Sequence, residues 1–250
     1  MERKYGWKQD AHDSRDRIFA QPRLIDPAKL PPLYKLHTPP PLDQGQLGSC
    51  VWNAISSAHL IAQVDQRNPL TIRISRLMGY YETRRLERTI NEDGGCQIRN
   101  AFKVLAKAGV CEEKLWPYNV RQFATQPPSQ CYKEGLNHQA LLYSRVPQTI
   151  AALKNCLATG RPVVFGFTVY ESFAFGPVER TGIMTLPEKG ERNHGGHCVL
   201  MVGWDDQREA FICLNSYGRA WGAKGYFYMP YNFATAPLYC SDHWVLTTVE

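Results

Sequence analysis

The stretch Asp43-Gln-Gly-Gln-Leu-Gly-Ser-Cys-Val-Trp-Asn-Ala-Ile-Ser56 carries one cysteine, between a glycine-rich turn and the start of an apolar helical pattern. This pattern predicts a helix that begins at Cys50 and ends near Ala62. Cys50 then lies in the first turn, where the helix dipole lowers the pKa of a thiol. A lone cysteine in an apolar helix is more often an inert, buried side chain. Cys50 is therefore a candidate nucleophile only if the chain also supplies a base.

His197 is the strongest candidate base among the seven histidines. It follows Asn193-His-Gly-Gly196 and opens an apolar strand, so its ring can project from the end of that strand into a cleft. Asn215 ends the next predicted strand and can fix the tautomer of His197. Gln44 precedes Cys50 across the glycine turn and can fold back to stabilise an oxyanion together with the Cys50 N–H. These four residues form a candidate catalytic set.

A metal site is the alternative interpretation of the histidine segment, because His194, His197 and Cys198 are all possible ligands. Neighbouring residues on a strand point to opposite faces, however, so His197 and Cys198 are poorly placed to bind one ion. The eight cysteines also include no Cys-x-x-Cys motif. We therefore predict no metal and no cofactor, and we interpret His194 as a solvated loop residue.

The hydrophobic periodicity divides the chain into two halves of different character. Helical patterns over 50–62, 75–88 and 97–107 dominate the first half. Strand patterns such as 162–170 and 197–202 dominate the second half, and the stretch around Pro127-Pro128 is polar. This segregation predicts an α+β protein in which a helical lobe packs against a β lobe, with a cleft between them.

Several segments, in their order along the chain, resemble the papain-type cysteine peptidases. Residues 44–50 are similar to the family's oxyanion glutamine and nucleophile segment, and residues 196–204 to its base segment. Asn215–Tyr226 resembles the family's Asn-Ser-Trp-Gly-x-x-Trp-Gly-x-x-Gly-Tyr block, with Tyr217 in place of the first tryptophan. The resemblance covers about residues 42–230 and is closest to the short bacterial members, the xylellain group.

The resemblance implies a papain-like fold, with a helical left lobe over about 42–125, a β-barrel-like right lobe over about 126–250 and the active site in the cleft between them. It implies catalysis by Cys50, His197, Asn215 and Gln44. The implied substrate-binding residues are Gly48, Ser49, Gly94, Gly95, Gly196 and Trp221. Bare backbone at Gly94 and Gly95 would pair with an extended peptide as an added strand. Trp221 would lie on the leaving-group side of the cleft.

Three departures from the family pattern have physical consequences. Leu47 and Glu92 stand where the family usually has two cysteines that pair, so both halves of one disulfide are absent together. A missing disulfide of this kind suits a reducing compartment. Tyr217 replaces the tryptophan that shields the contact between the catalytic asparagine and histidine, which predicts a wetter hydrogen bond there.

Residues 1–41, which we call the arm, differ from the peptidase domain expected over 42–250. The arm is charged and contains the proline clusters Leu30-Pro-Pro and Thr38-Pro-Pro-Pro41, which favour extended backbone. The long pro-domain of the family has no counterpart in the sequence. Two roles are open for the arm. It either covers the cleft as a short inhibitory pro-segment or wraps around the β lobe.

The predicted activity is that of a cysteine endopeptidase acting on peptides or proteins. The alternatives are an acyl-transfer or isopeptide hydrolase on the same fold and a catalytically dead binding protein. The net charge of +6 is scattered apart from the run Arg73–Arg88, which we interpret as a solvated helix face and not as a nucleic-acid surface. No signal peptide and no apolar run of about 20 residues occurs. We expect a monomer without membrane partners, and the compartment stays open.

Overall fold

The structure of the chain is a computed structural model that describes residues 3–20, 25–26, 29–67 and 71–249. Its first half is mainly helical. In chain order this half contains β1 (Trp7–Lys8), β2 (Leu33–Lys35), α1 (Cys50–Asp65), α2 (Arg76–Leu86), β3 (Cys96–Gln97), α3 (Ile98–Lys107) and α4 (Ser129–Gly135). The three helices predicted from periodicity are confirmed, with ends that differ by at most three residues. No pattern predicts α4, which begins directly after the two prolines and buries Cys131.

Helix α1 is buried along most of its length and forms the centre of the helical lobe. The Trp52 ring packs so closely on α2 that a Cβ atom at Gly79 would lie 2.2 Å from it. The indole N–H donates to the Thr83 hydroxyl at 2.9 Å, which satisfies the one polar atom of this ring. A glycine in α2 therefore allows the close packing that fixes α1, and with it Cys50, relative to the rest of the lobe.

The second half forms the β lobe. It contains β4 (Ala140–Arg145), α5 (Ile150–Ala158), β5 (Val163–Tyr170), α6 (Glu171–Ala174), α7 (Val178–Thr181), β6 (Asn193–Asp205), β7 (Ala210–Leu214), β8 (Tyr226–Pro230), α8 (Tyr231–Thr235) and β9 (Cys240–Val249). The strands form one antiparallel sheet in the order β4-β9-β5-β6-β7-β8. The predicted α+β fold with two lobes is confirmed. Strand β6 begins earlier than its apolar pattern, because Asn193 pairs with Tyr170.

The arm contacts both lobes. Strand β1 pairs in parallel with β3 in the helical lobe, with Trp7 opposite Cys96. Strand β2 pairs antiparallel with the far end of β6, with Leu33 opposite Asp205. One end of the arm therefore lies against the helical lobe and the other against the β lobe. Residues 1, 2, 21–24, 27 and 28 of the arm lie outside the described part of the chain.

Two apolar clusters form the interior. One joins the three long helices to residues of β6 and β9 at the lobe interface, and the other lies inside the β lobe around Phe165 and Phe167. All eight cysteines belong to the described part of the chain, where they are buried and unpaired. Within that part, no helix has both the length and the apolar character needed to cross a membrane.

Candidate active site

Cys50 is the first residue of α1, and its side chain is fully buried. Burial raises the pKa of the Cys50 thiol to about 11, while hydrogen bonds from the backbone N–H groups of Cys198 and Gly6 act in the opposite direction. The helix N-terminus alone therefore does not produce a thiolate here, because the cost of burying the charge is larger. At neutral pH the thiol is protonated in this structure.

His197 lies in β6, and Asn215 follows the last residue of β7, the strand that pairs with β6. The His197 Nε2 and Asn215 Oδ1 atoms are 2.8 Å apart. The same amide oxygen accepts the Ser216 N–H, which fixes the orientation of the Asn215 amide. An amide oxygen only accepts, so Nε2 carries the proton and Nδ1 is the basic nitrogen. This is the tautomer that can take a proton from a thiol.

The charge state of His197 follows from its burial. Burial lowers the pKa of His197 to about 4, the hydrogen bond to Asn215 opposes this shift, and the positive charge of Arg3 adds to it. The Nδ1 atom is buried and has no hydrogen-bond partner in the part of the chain that the structure describes. The site therefore holds a neutral thiol and a neutral imidazole, whereas a reactive thiolate is usually paired with an imidazolium.

Gln44 is held on three sides at the edge of the site. Its Oε1 atom accepts the Ser216 hydroxyl at 2.6 Å, and its Nε2 atom donates to the Leu47 carbonyl at 2.9 Å. The same Nε2 atom also donates to the Lys4 carbonyl at 3.1 Å. The amide expected to stabilise an oxyanion is thus oriented by its own loop and by Ser216. Of the two carbonyl oxygens that the Gln44 Nε2 atom binds, the one from outside this loop is that of Lys4 in the arm.

The arm crosses the site at Gly6. A Cβ atom on Gly6 would lie 1.8 Å from the Gly48 carbonyl oxygen, and one on Gly95 would lie 2.1 Å from the Gly6 carbonyl oxygen. The Gly6 oxygen accepts the Cys96 N–H at 2.8 Å. Gly6 and Gly95 therefore let the backbone of the arm touch the backbone of the cleft. Any residue other than glycine at position 6 would force the arm or the Gly48 carbonyl to move.

Side chains on both sides of Gly6 fill the cleft. The Tyr5 ring meets the His197 ring edge-on at 6.0 Å between centroids. Trp7 lies on two glycines, since Cβ atoms at Gly166 and Gly196 would come within 1.9 and 2.5 Å of it. These contacts, with those of Gly6, help to bury Cys50 and His197, and burial is the main cause of the pKa shifts of both side chains.

Tyr217 stacks on the ring of His197, the predicted base. Its ring is 4.8 Å from the His197 ring at 20° between planes, and it meets the Trp221 ring edge-on at 5.5 Å. The Arg3 guanidinium covers Tyr217 at 4.0 Å. His197 and Asn215 are 0% and 2% exposed. The expectation of a wetter hydrogen bond is wrong for this structure, because Tyr217 and the arm together exclude solvent.

The remaining predicted substrate-binding residues have different surroundings. The Gly94 Cα faces the Lys8 side chain of the arm, from which a Cβ atom would be 3.3 Å away. Ser49 directs its hydroxyl to the Tyr118 hydroxyl inside the helical lobe. Trp221 is buried behind Tyr217 at 4% exposure. Gly94 therefore lines the covered cleft, whereas the side chains of Ser49 and Trp221 contribute through their neighbours.

Asp93 belongs to the site but was not predicted from the sequence. Its carboxylate accepts the Gly48 N–H at 2.9 Å and the Tyr80 hydroxyl at 2.7 Å, and it pairs with Lys4 of the arm at 2.8 Å. Asp93 thereby links the loop before Cys50 to Gly94 and Gly95. Its position directly before Gly94 was the only sequence signal.

The Asp242 carboxylate is a second unpredicted group, and it contacts the indole nitrogen of Trp7. The Trp7 indole N–H donates to the Asp242 carboxylate at 3.2 Å. No motif marks Asp242, which lies in β9 far in sequence from the predicted catalytic residues. The aromatic pair around Gly6 in the arm was the available signal, since two large side chains flanking a glycine suit a segment that lies in a groove.

One group of side chains has the spacing of metal ligands. Glu112, Glu134 and His138 offer ligand atoms within 4.8 Å of one another in the helical lobe. His194, His197 and Cys198 form no such group among the residues that the structure describes. The group at Glu112 includes none of the residues that contact the arm near Cys50.

The chain is similar to proteins of one family. The family described as "Papain family cysteine protease" matches residues 35–240. An uncharacterized peptidase C1-like protein of Acanthamoeba polyphaga mimivirus is 36% identical over 100% of this chain and 88% of that protein. The crystal structure of xylellain, a cysteine protease from Xylella fastidiosa, has 38% identity and a TM-score of 0.92, covering 100% of this chain and 98% of that one. Procathepsin B from Trypanosoma congolense shares the fold, with 14% identity and a TM-score of 0.75 over 98% and 87% of the two chains.

Proposed function

The chain belongs to the papain family of cysteine proteases, and from this premise we propose that it is an endopeptidase whose catalytic residues are Cys50, His197, Asn215 and Gln44. The observation that carries this proposal is the 2.8 Å contact between His197 and Asn215, which leaves Nδ1 as the basic nitrogen of a buried imidazole. The position of Cys50 at the start of α1 supports its role as the nucleophile.

In the proposed reaction His197 Nδ1 takes the proton of Cys50, and the sulfur attacks the carbonyl carbon of the substrate. The negative charge that develops on the carbonyl oxygen is stabilised by the Gln44 side-chain amide and the Cys50 N–H. The imidazolium then protonates the leaving amine, which gives a thioester and a free amino terminus. In the second half His197 activates water, the thioester is hydrolysed and the thiol re-forms. Asn215 keeps the ring oriented throughout.

The arm acts as an inhibitory segment in this proposal. The support is that the Gln44 amide already binds the Lys4 carbonyl and that the Gly6 backbone lies close enough to Cys50 to oppose the rise in the pKa of its thiol. Arg3 lies over Tyr217, and Gly6 lies against Gly95, so the arm runs from the leaving-group side of the cleft towards the acyl side. A substrate would run in the opposite direction. The arm therefore blocks the cleft without presenting itself as a substrate.

Release of the arm would also restore the reactive charge state. Burial is the main cause of the raised pKa of Cys50 and of the lowered pKa of His197. Once water replaces residues 3–8, the cost of charging both groups falls, and the thiolate–imidazolium pair becomes accessible. The substrates are peptides or proteins, and one chain supplies all four catalytic residues, so we propose that a monomer is active.

A peptide-library cleavage assay tests this function. The comparison uses the full chain, a variant without residues 1–9, and the same truncated variant with Cys50→Ala. We expect cleavage of backbone peptide bonds by the truncated chain, much less by the full chain, and none after Cys50→Ala. Cleavage that survives Cys50→Ala contradicts the mechanism. Equal rates for the full and truncated chains contradict inhibition by the arm, and products from side-chain amides alone would indicate an isopeptide hydrolase.

A further inference from the structure

Asp10 anchors the arm just beyond the cleft. One oxygen of its carboxylate accepts the Trp244 indole N–H at 2.9 Å and the Arg145 guanidinium at 3.1 Å. The other oxygen accepts the backbone N–H of Arg99 at 3.1 Å. The side chain has no solvent exposure. A buried carboxylate with three donors is a fixed contact and not a solvated surface charge.

Asp16 makes a second contact with the same two arginines. Its Oδ2 atom accepts from Arg99 at 2.8 Å and from Arg145 at 2.6 Å. Asp10 and Asp16 of the arm therefore face Arg99 of α3 and Arg145 of β4. The guanidinium of Arg145 also lies over the Trp244 ring at 4.5 Å, which fixes its position. The body of the protein supplies the positive charges, and the arm supplies the negative ones.

Asp242 of β9 adds a third carboxylate. Its Oδ2 atom accepts the Asp10 backbone N–H at 2.8 Å as well as the Trp7 indole, and its Oδ1 atom accepts Arg145 at 3.2 Å. The cluster thus holds three carboxylates against two guanidinium groups. The neighbouring His243 carries no charge that could balance the excess, because burial lowers its pKa to about 3 and the charge of Arg145 adds to this.

We propose that Asp10, Asp16, Arg99, Arg145 and Asp242 form an arm clamp that takes up a proton when the arm docks, and so opposes release of the arm from the cleft in acid. The proposal rests on the inhibitory role of the arm given above. The geometric reason is that docking brings Asp10 beside Asp242, and one proton between them removes the unbalanced negative charge. Once the arm has left, Asp10 is in water and Asp242 keeps Arg145.

The direction of the shifts agrees with this geometry. Burial raises the pKa of Asp10 from its usual 3.8 to about 6, and the charge of Asp242 adds to this shift. Burial also raises the pKa of Asp242. The docked arm therefore binds a proton more tightly than the free arm does, and docking is favoured as pH falls below about 6. A carboxyl group with a pKa of 3.8 in the free arm and about 6 in the docked arm strengthens docking about tenfold at pH 5 relative to pH 7.

His197 has the opposite linkage. Its pKa is about 4 under the arm and 6.5 in its ordinary state, so in a chain without the Cys50 thiol, where no thiolate–imidazolium pair can form, release of the arm lets His197 take up a proton from solvent. By the same arithmetic, acid weakens docking through His197 by about twentyfold at pH 5 relative to pH 7. The clamp offsets most of this effect, which leaves a net weakening of about twofold. Without the clamp, acid alone would uncover the cleft.

Hydrogen exchange measures arm docking directly. All variants carry Cys50→Ala, so that no cleavage occurs, and the protection of the Cys96 N–H, which donates to Gly6, reports docking at pH 5 and pH 7. We expect Asp10→Asn to lose about tenfold more protection at pH 5 than at pH 7 relative to the parent. The contribution of His197 is common to both proteins and cancels in this ratio.

Asp13→Asn is the matched control, because it removes the same charge from the arm and the side-chain hydrogen bonds of its carboxylate are to Arg15 of the arm itself. The protection of the Cys96 N–H in Asp13→Asn, divided by that in the parent, should be the same at pH 5 and pH 7. If this ratio is also the same at the two pH values for Asp10→Asn, the proposal is overturned. If the arm of Asp10→Asn does not dock at all, a second measurement decides. The NMR chemical shift of the Asp10 carboxyl carbon is followed against pH in the parent protein. We expect a midpoint near pH 6, and a midpoint near 4 overturns the clamp even where the cleavage assay supports inhibition.

Discussion

The two ends of the arm are held by different kinds of contact. Residues 3–8 lie on groups that the proposed reaction needs, among them Gln44, Cys50 and Gly95. Strand β2, at Leu33–Lys35, instead pairs with residues 203–205 at the end of β6, six or more positions from His197. The first end must leave for a substrate to bind, whereas the second end can stay.

The chemistry of the two ends fits this difference. The cleft end is held mainly by backbone contacts at glycines and by a few hydrogen bonds. At the far end Tyr34 stacks on the fully buried Trp204 with 4.7 Å between centroids, and the Trp204 indole donates to the Pro31 carbonyl at 2.9 Å. The far end is therefore part of the core. The arm combines a removable plug with a fixed anchor.

The largest expected effect concerns the reactivity of Cys50 towards iodoacetamide. Removing residues 1–9 exposes the thiol, so its pKa falls from about 11 towards the ordinary value of 9.0 or below it. Two units of pKa correspond to about a hundredfold more thiolate at pH 7. We expect alkylation of Cys50 to accelerate by at least about this factor, measured by mass spectrometry of the labelled peptide.

Cys213 provides the control within the same experiment. It lies fully buried in the β lobe, where burial raises its pKa well above the usual value. Its labelling rate should be equally slow in the full and truncated chains. Faster labelling of Cys213 would show that truncation loosens the whole lobe, and unchanged labelling of Cys50 would contradict shielding by the cleft end.

The next effect comes from one methyl group. Gly6→Ala adds a Cβ atom 1.8 Å from the Gly48 carbonyl oxygen, so the arm has to move. Overpacking of this kind costs about 1–3 kcal/mol, and each 1.4 kcal/mol shifts docking about tenfold. We expect kcat/KM for a peptide to rise on the order of tenfold in the full chain. An unchanged kcat/KM in Gly6→Ala would contradict docking of the arm through this backbone contact.

Tyr34→Ala tests the anchor. It removes the stacking on Trp204, and we expect a loss of about 1–3 kcal/mol in the free energy of unfolding, measured by urea denaturation. Peptidase activity of the folded protein should change less than it does in Gly6→Ala. A large gain in activity with no loss of stability would mean that both ends are parts of one plug, and the distinction between them would be wrong.

Lys4→Ala should have the smallest effect. Lys4 pairs with Asp93 at 2.8 Å, but its side chain is 54% exposed. Exposed ion pairs contribute about 0–1 kcal/mol, and salt screens them. We therefore expect less than about a fivefold change in kcat/KM, and a smaller change at high ionic strength. A change as large as that of Gly6→Ala would show that this charge, and not the backbone fit, holds the cleft end.

Much of the fold and the candidate catalytic set follow from local sequence patterns. The helix at Cys50, the strand at His197 and the strand before Asn215 each have clear periodicity, and a turn between the two strands predicts that they pair. The ends of elements are less accessible, because they depend on partners. Strand β6 extends back to Asn193 since Tyr170 pairs with it. Helix α4 depends on the burial of Cys131 and has no strong pattern of its own.

The charge state of the site and the path of the arm could not be predicted in the same way. An extended, proline-rich segment has no periodicity to indicate which surface it covers. The pKa of Cys50 depends on burial by that segment, so a helix N-terminus and a nearby histidine predict the wrong direction for the covered state. Asp242 joins the site through tertiary contacts to Trp7 and Asp10, which no spacing in the sequence encodes.

The pairing of β2 with β6 also determines how much affinity residues 3–8 need in order to occupy the cleft. A segment anchored about two dozen residues away meets its site at an effective concentration near the millimolar range. Even weak intrinsic affinity then keeps the cleft closed most of the time, while each opening remains brief and reversible. A free peptide of residues 3–8 should accordingly inhibit the truncated enzyme only at similar concentrations. Cleavage of the chain between the anchor and the plug would therefore release the plug by dilution, because the high effective concentration would be lost.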